Sequence, residues 1–211
     1  MNNGGIKFDL YDVSDIKNPK QKYSKVIGGM GSSSDALWNP RALVWDNSKK
    51  ILLIPAQLMD QNQVTYQSSY AWQGLLAVKI STEGISEAAR ITHIDMSGIA
   101  EKRKQECAQY SNTVNEEKCY THVTTGEKIC VKPADNPVNQ NIPAYCFAEN
   151  DDSSYLANQI WNYYPFFVQR GVYIGDTLYT LSPSIIQANQ YSAAYTLIKR
   201  IVHGDPEEAK G

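Results

Sequence analysis

Apolar positions in this chain fall in short runs and alternating stretches separated by small polar clusters, which is the patterning of strands. Ile6 to Val13 (IKFDLYDV) alternates, Ser14 to Pro19 is a turn cluster, and Lys22 to Ile27 predicts a short second strand closed by Gly28 and Gly29. After the loop GMGSSSDALWNP, the segments RALVWD and KKILLIP predict a hairpin about Asn47-Ser48, its second strand stopped by Pro55. A polar, glutamine-rich loop is expected from Gln57 to Gln73. GLLAVKIS, a turn at Thr82 to Gly84, and ISEAARITHI then predict two more strands. Ser97 to Tyr110 favours a short surface helix, and Pro133, Pro137 and Pro143 keep the following stretch irregular. Regular structure resumes near Tyr155 with a helical turn through Trp161. FFVQRGVYIGD, TLYTLS, SIIQAN and AYTLIKRIV predict four further strands, and the polar tail HGDPEEAKG is expected to fray.

No strand alternates with a long helix, so a parallel α/β sheet is disfavoured. Three segments resemble one another: KFDLYDVSDIKNPKQKYSKVI, LLAVKISTEGISEAARIT and SIIQANQYSAAYTLIKRI each give a strand, a polar turn and a second strand. Two of them follow a hairpin, RALVWDNSKKILLIP or RGVYIGDTLYTLS, so the unit is four antiparallel strands and the chain holds about two and a half units. Four-stranded units recurring about every 40–45 residues are the mark of β-propeller blades, and a blade needs neighbours to cover both its faces.

Composition narrows the function classes. Hydrophobic residues at 42% and charged residues at 20% suit a folded soluble domain, and a net charge of -2 gives neither a basic footprint for nucleic acid nor a polybasic membrane anchor. The 14 Tyr against 4 Phe fit half-buried sheet surfaces. No apolar run is long enough to span a bilayer, and MNNGGIKFD has neither a basic n-region nor an apolar h-region. Cys107, Cys119, Cys130 and Cys146 lie in one polar segment without a Cys-x-x-Cys pair, which disfavours zinc even with His122 nearby. Two disulfides are expected, in any of three connectivities; neighbour pairing, Cys107 to Cys119 and Cys130 to Cys146, closes loops worth about 3 kcal/mol each. Disulfides imply an oxidising compartment, so an exported chain without a signal is expected to have lost its beginning.

The ordered motifs LYDVSDIKNPK, VIGGMGSSSDAL, KKILLIP, QGLLAVKIS, RITHI and RGVYIGDTLYTLS followed by IQAN resemble the C-terminal β-propeller domain of secreted archaeal and bacterial proteins, distantly related to WD40 repeats. The resemblance covers residues 6–96 and about 160–203, with Ser97 to Tyr155 as an insertion. It departs at Trp38-Asn39-Pro40-Arg41, where the family pattern leads one to expect an acidic or aromatic residue followed by His and Lys, which bears on any function built on that loop. The resemblance implies a fold and carries over no catalytic residues. Because propellers have about four to eight blades, it also implies that this chain is the C-terminal part of a longer protein. Alone, it is expected to expose apolar blade faces and associate; a monodisperse, cooperatively melting monomer would contradict this.

Candidate chemistry weighs against structural roles. Asp12, Ser14, Asp15 and Asn18 put oxygens in one loop, but as a calcium template position 6 is Lys17 rather than Gly and position 12 is Tyr23 rather than Glu, so a turn is favoured. GGMGSSSD, residues 28–35, lacks the Gly-Lys-Ser/Thr of a phosphate loop and reads as an inter-blade connection. If a loop binds a ligand it is this one, through Ser32, Ser34 and Asp35. A hydrolase built on Ser33 or Ser34 with His93 lacks a Gly-x-Ser-x-Gly elbow, and His93 reads as a packed or capping residue. The run from Trp161 to Phe167 is either a packed strand entry or a stacking patch using Trp161, Tyr163 and Tyr164. Asp176 and Asn189 serve turns.

The reading is therefore an all-β protein, a partial propeller with a cysteine-containing insertion. Its parts are a half blade over 6–27, a full blade over 41–96, the insertion over 97–155, a further blade over 156–203 and a tail over 204–211. The expected function is a non-enzymatic extracellular or cell-surface module binding a protein or glycan, without cofactor or metal, and partnered by the remaining blades of a longer chain. The alternative is a secreted hydrolase whose site lies partly on missing blades.

Overall fold

A computed structural model of the chain describes residues 4–59, 70–108, 118–121, 128–131, 146, 160–192 and 194–203. It divides into two compact units, Met1–Ile94 with Ile160–Gly211, and Asp95–Gln159. The first unit opens with β1 (Ile6–Asp12), β2 (Lys20–Ile27), β3 (Val44–Asp46), β4 (Ile51–Met59), β5 (Tyr70–Ser81) and β6 (Gly84–Ile91). The second unit holds α1 (Met96–Ala108) and the hairpin β7 (Lys118–Thr121) and β8 (Lys128–Val131). The chain then returns to the first unit with β9 (Arg170–Ile174), β10 (Thr177–Leu181), β11 (Ile185–Gln190) and β12 (Leu197–Val202).

The first unit is two and a half meanders. β1 pairs with β2 alone, while β3-β4-β5-β6 and β9-β10-β11-β12 are four-stranded sheets in chain order, all antiparallel. Alternation along the hairpin puts Ile6, Phe8 and Ile27 on a buried face, while Lys7 and Asp9 pair in solvent on the other. The central strands β4 and β5 are apolar on both faces because both faces are covered. Ile54, Ala56, Leu58, Leu76 and Val78 pack with Ile6, Phe8 and Ile27; the alternate residues Ile51, Leu53, Leu75 and Ala77 pack with Val168, Leu178 and Tyr191. Each fully buried leucine in these layers contributes about 2 kcal/mol.

Among the described residues, the sheet β9–β12 is covered on one face. Leu178 and Ile185 are fully buried, whereas Val172, cross-strand from Tyr179, is 42% exposed and Ile201, cross-strand from Ile186, is 50% exposed. Every residue of β12 is exposed.

Three strands differ from the sequence expectation. Pro55 does not stop β4, which runs on to Met59. β3 pairs with β4 only as far as Leu53, so no ladder N–H is asked of Pro55; its carbonyl accepts from the Ser34 hydroxyl and it has no N–H to leave unpaired. The glutamine-rich loop is consequently shorter than Gln57 to Gln73: both of those residues are in strands, and 60–69 lie outside the described residues. RALVWD gives a strand only over Val44–Asp46, because Asn39 caps a 3-10 turn over Pro40–Ala42 through the Arg41 N–H at 3.2 Å.

Within the second unit a disulfide joins Cys107 to Cys146. It overturns the neighbour pairing. The β7–β8 register sets Cys119 directly opposite Cys130, so the hairpin places those two together and leaves Cys107 to bond Cys146. His122 and the prolines at 133, 137 and 143 lie outside the described residues, as does the tail 204–211.

Candidate functional site

Polar side chains clasp the two four-stranded sheets. The buried carboxamide of Gln73, on β5, donates to the Val168 carbonyl and accepts from the Val168 N–H, both at 2.9 Å. It fixes the segment that leads into β9. Just past β6, His93 is 1% exposed, with Nε2 at 2.7 Å from the Thr180 hydroxyl and Nδ1 at 3.0 Å from that of Ser182. Arg200 of β12 donates to the His93 carbonyl. Burial, reinforced by the Arg200 charge, holds the His93 imidazole down to about 4, so it is neutral at ordinary pH. Its ring nitrogens face Thr180 and Ser182 rather than Ser33 or Ser34.

At the far end, Asp46 closes the β3–β4 turn by accepting from the Ser48 N–H and hydroxyl and the Lys49 N–H. Burial pushes its carboxyl up, but the Ser48 and Lys49 hydrogen bonds outweigh this and hold it below the ordinary range. Burial and the Asp46 charge push the Tyr191 phenol up. Lys49 reaches from this turn to Asp176 at 3.1 Å and lies 4.8 Å from the Tyr191 ring centre. With Asp176 almost wholly exposed, that ion pair contributes little.

The loop 12–18 is a corner. Asp12 accepts from the Ser14 N–H at 3.0 Å and hydroxyl at 2.6 Å; Asp15 accepts from the Lys17 N–H at 3.0 Å and the Asn18 amide at 2.9 Å. The Ser14 hydrogen bonds, with Lys22 behind them, hold Asp12 down to about 2.

The loop 28–35 and the turn Ile160–Phe166, more than a hundred residues apart, meet at one cleft of about 300 Å3. Ser33, Ser34 and Asp35 form one wall, Pro55 to Gln57 of β4 the floor, and Tyr164, Phe167 and Gln169 the other wall. Local chemistry builds each side. Gly28 has a φ of 81°, which favours glycine where the chain leaves β2. The Ser32 hydroxyl accepts from the Met59 N–H at 2.9 Å, and Ser33 and Gln57 exchange backbone hydrogen bonds at 2.9 and 2.8 Å. Ser34 donates to the Pro55 carbonyl and accepts from the Ala36 N–H, capping a 3-10 turn over Asp35–Leu37. On the opposite side Tyr164 and Phe167 pack with ring centres 5.7 Å apart and planes tilted by 53°.

Of the residues singled out in the sequence, Ser34, Asp35 and Tyr164 line this cleft. Ser32 is committed to the β4 backbone, Tyr163 packs on Phe166 at 6.5 Å, and Trp161 stands at the start of the 3-10 turn, its side chain outside the described residues. Phe167 belongs to the aromatic run already singled out; sequence reasoning missed Ser33 as a lining group, and Gln57 and Gln169. Alternation along β4 placed Gln57 at the solvent-facing end of a strand had the strand been carried through Pro55, and that was the available signal. Among the described residues no group of three His, Cys, Asp or Glu side chains is arranged to hold a metal. No helix among them is long and apolar enough to cross a membrane.

Comparison with known proteins agrees with the topology. Neither a search of curated proteins nor a search of solved structures finds a match. A family model described as Beta propeller domain matches residues 1–125, more than half of the 211-residue chain. The matched segment contains the hairpin β1–β2 and the whole sheet β3–β6, and the sheet β9–β12 beyond it repeats the same four-stranded meander. The chain belongs to the β-propeller domain family.

Proposed function

We propose that this propeller module is a non-enzymatic binding protein, acting outside the cell or at its surface, and that its ligand, a protein or a glycan, docks in the cleft between loop 28–35 and the Ile160–Phe166 turn. The observation that carries the reading is the convergence of Asp35 and Tyr164, from distant segments, on one cleft beside the clasped sheets. The Cys107–Cys146 disulfide supports the oxidising setting. The commitment of both His93 ring nitrogens to a buried clasp gives no support to a hydrolase. A propeller ring takes about four blades or more, and the apolar face of the β9–β12 sheet, with Val172 and Ile201 exposed, is assigned to a further blade.

The test is a screen of the immobilised chain against a glycan array and a phage-displayed peptide library, repeated with the double variant Asp35→Ala/Tyr164→Ala. Binding of either ligand kind that is lost in the double variant supports the reading. No binding on either platform, or binding indifferent to the double variant, contradicts it.

A further inference from the structure

The cleft's chemistry narrows the ligand class. Two of its polar side chains are already used: Ser34 holds Pro55 and Gln73 holds Val168. The side chains of Ser33, Asp35, Gln57 and Gln169 make no hydrogen bond within the protein among the described residues, so they are available to a ligand. They offer one carboxylate that only accepts, two carboxamides that donate and accept, and a hydroxyl that does both. Beside them Tyr164, 50% exposed, presents an apolar ring face with a polar hydroxyl at its rim, its ring tilted against that of Phe167.

This set excludes several ligand classes. Among the described residues no Lys, Arg or His lines the cleft, so a phosphate, sulfate or carboxylate would meet Asp35 without a counter-charge from them. An extended peptide binding by strand addition needs a free strand edge. Here the edge of β4 beyond β3 is already filled by the Ser33–Gln57 exchange and by Ser34 on Pro55. A purely apolar ligand would bury four polar side chains unpaired, at a cost of about 1–3 kcal/mol each. A compact, uncharged molecule with hydroxyls on its rim and C–H groups on its faces matches these donors, acceptors and the ring surface together.

We propose that the cleft binds a neutral saccharide, one or two pyranose rings of a glycan. One ring face lies on Tyr164, and adjacent hydroxyls bridge Asp35 and the carboxamides of Gln57 and Gln169. This rests on the binding-module reading above and makes it more specific. The volume of about 300 Å3 is at the small end for ligand sites, which suits one or two rings rather than a long chain.

The experiment is a glycan array carrying neutral and acidic glycans, followed by calorimetric titration of the full chain with the best neutral disaccharide. The variants are Tyr164→Ala, Asp35→Ala and Gln169→Ala, with Glu83→Gln, on an exposed turn, as control; all four positions are at the surface, and a thermal melt of each verifies folding. The expected result is binding of neutral glycans, at least tenfold weaker in Tyr164→Ala and Asp35→Ala and unchanged in Glu83→Gln. Binding of acidic glycans only, or neutral binding indifferent to both variants, overturns the inference. Peptides selected by the chain that compete at Tyr164, with no saccharide bound, overturn the saccharide class but leave the binding-module reading standing; absence of both ligand kinds overturns the two together.

Discussion

Acidification should destabilise this protein through His93 before the depressed carboxyls of Asp12 and Asp46 are protonated. In the unfolded chain an imidazole titrates near ~6.5. In the fold, burial and the Arg200 charge hold His93 down to about 4. A base with a depressed folded pKa resists protonation in the native state. Its contribution is therefore complete above the unfolded value and lost as the pH falls from 6.5 towards 4. The full loss is about 3 kcal/mol, and the part incurred between about pH 7.5 and pH 5 is about 2 kcal/mol. Carboxyls held below their ordinary range, such as Asp12 and Asp46, lose their contributions at lower pH, which leaves this window to histidine. The assay is urea unfolding across the window for the wild type and for His93→Gln, which keeps a donor and an acceptor for Thr180 and Ser182. The wild type should lose about 2 kcal/mol more than the variant over that interval. Equal pH slopes for the two proteins would refute the assignment of a neutral, buried His93 to the clasp.

Three further outcomes follow from the same packing. Gln73→Ala strands the buried N–H and C=O of Val168 and should cost about 2–4 kcal/mol in chemical denaturation, with a loss below 1 kcal/mol counting against the clasp. Gly171→Ala should destabilise by about 1–3 kcal/mol, since its Cβ would stand 2.5 Å from Cδ2 of the fully buried Leu75; Gly74→Ala should cost more, because the atom met, at 2.2 Å, is the Ile91 carbonyl oxygen of the backbone. Non-reducing peptide mapping should recover Cys107 linked to Cys146 and, from the β7–β8 register, Cys119 linked to Cys130. The Cys107–Cys146 bond, 39 residues apart, should be worth about 4 kcal/mol to its unit by loop-closure entropy. Fragments pairing Cys107 with Cys119 would contradict the nested arrangement.

The blades were legible because strand patterning is local. LLAVKIS and IIQAN carry their apolar runs, the turns that follow and their repeat within single segments, and a repeat discloses the fold without long-range information. Pro55 misled because proline's missing N–H matters only where a neighbouring strand needs it, and whether β3 reaches that far is a tertiary fact. The site was half legible. Asp35 and Tyr164 each stood out in their own segment by composition, yet nothing local says that the two segments meet. Gln73 carries no signal of its clamp, since its partner Val168 is 95 residues away and is engaged through its backbone. His93 was readable as packed, but Thr180 lies on the next sheet and Ser182 just past its β10 strand, and both emerge as partners only when the sheets stack.

The central claim, that the two loops form one binding cleft, is tested most directly by amide chemical-shift mapping of the 15N-labelled chain during titration with the neutral disaccharide chosen from the array. The account predicts saturable shifts that cluster on Ser33, Ser34, Asp35, Gln57, Tyr164 and Gln169, which line this cleft from both loops and from β4. Shifts confined to the open face of the β9–β12 sheet, or changes in one loop with the other silent, would contradict it.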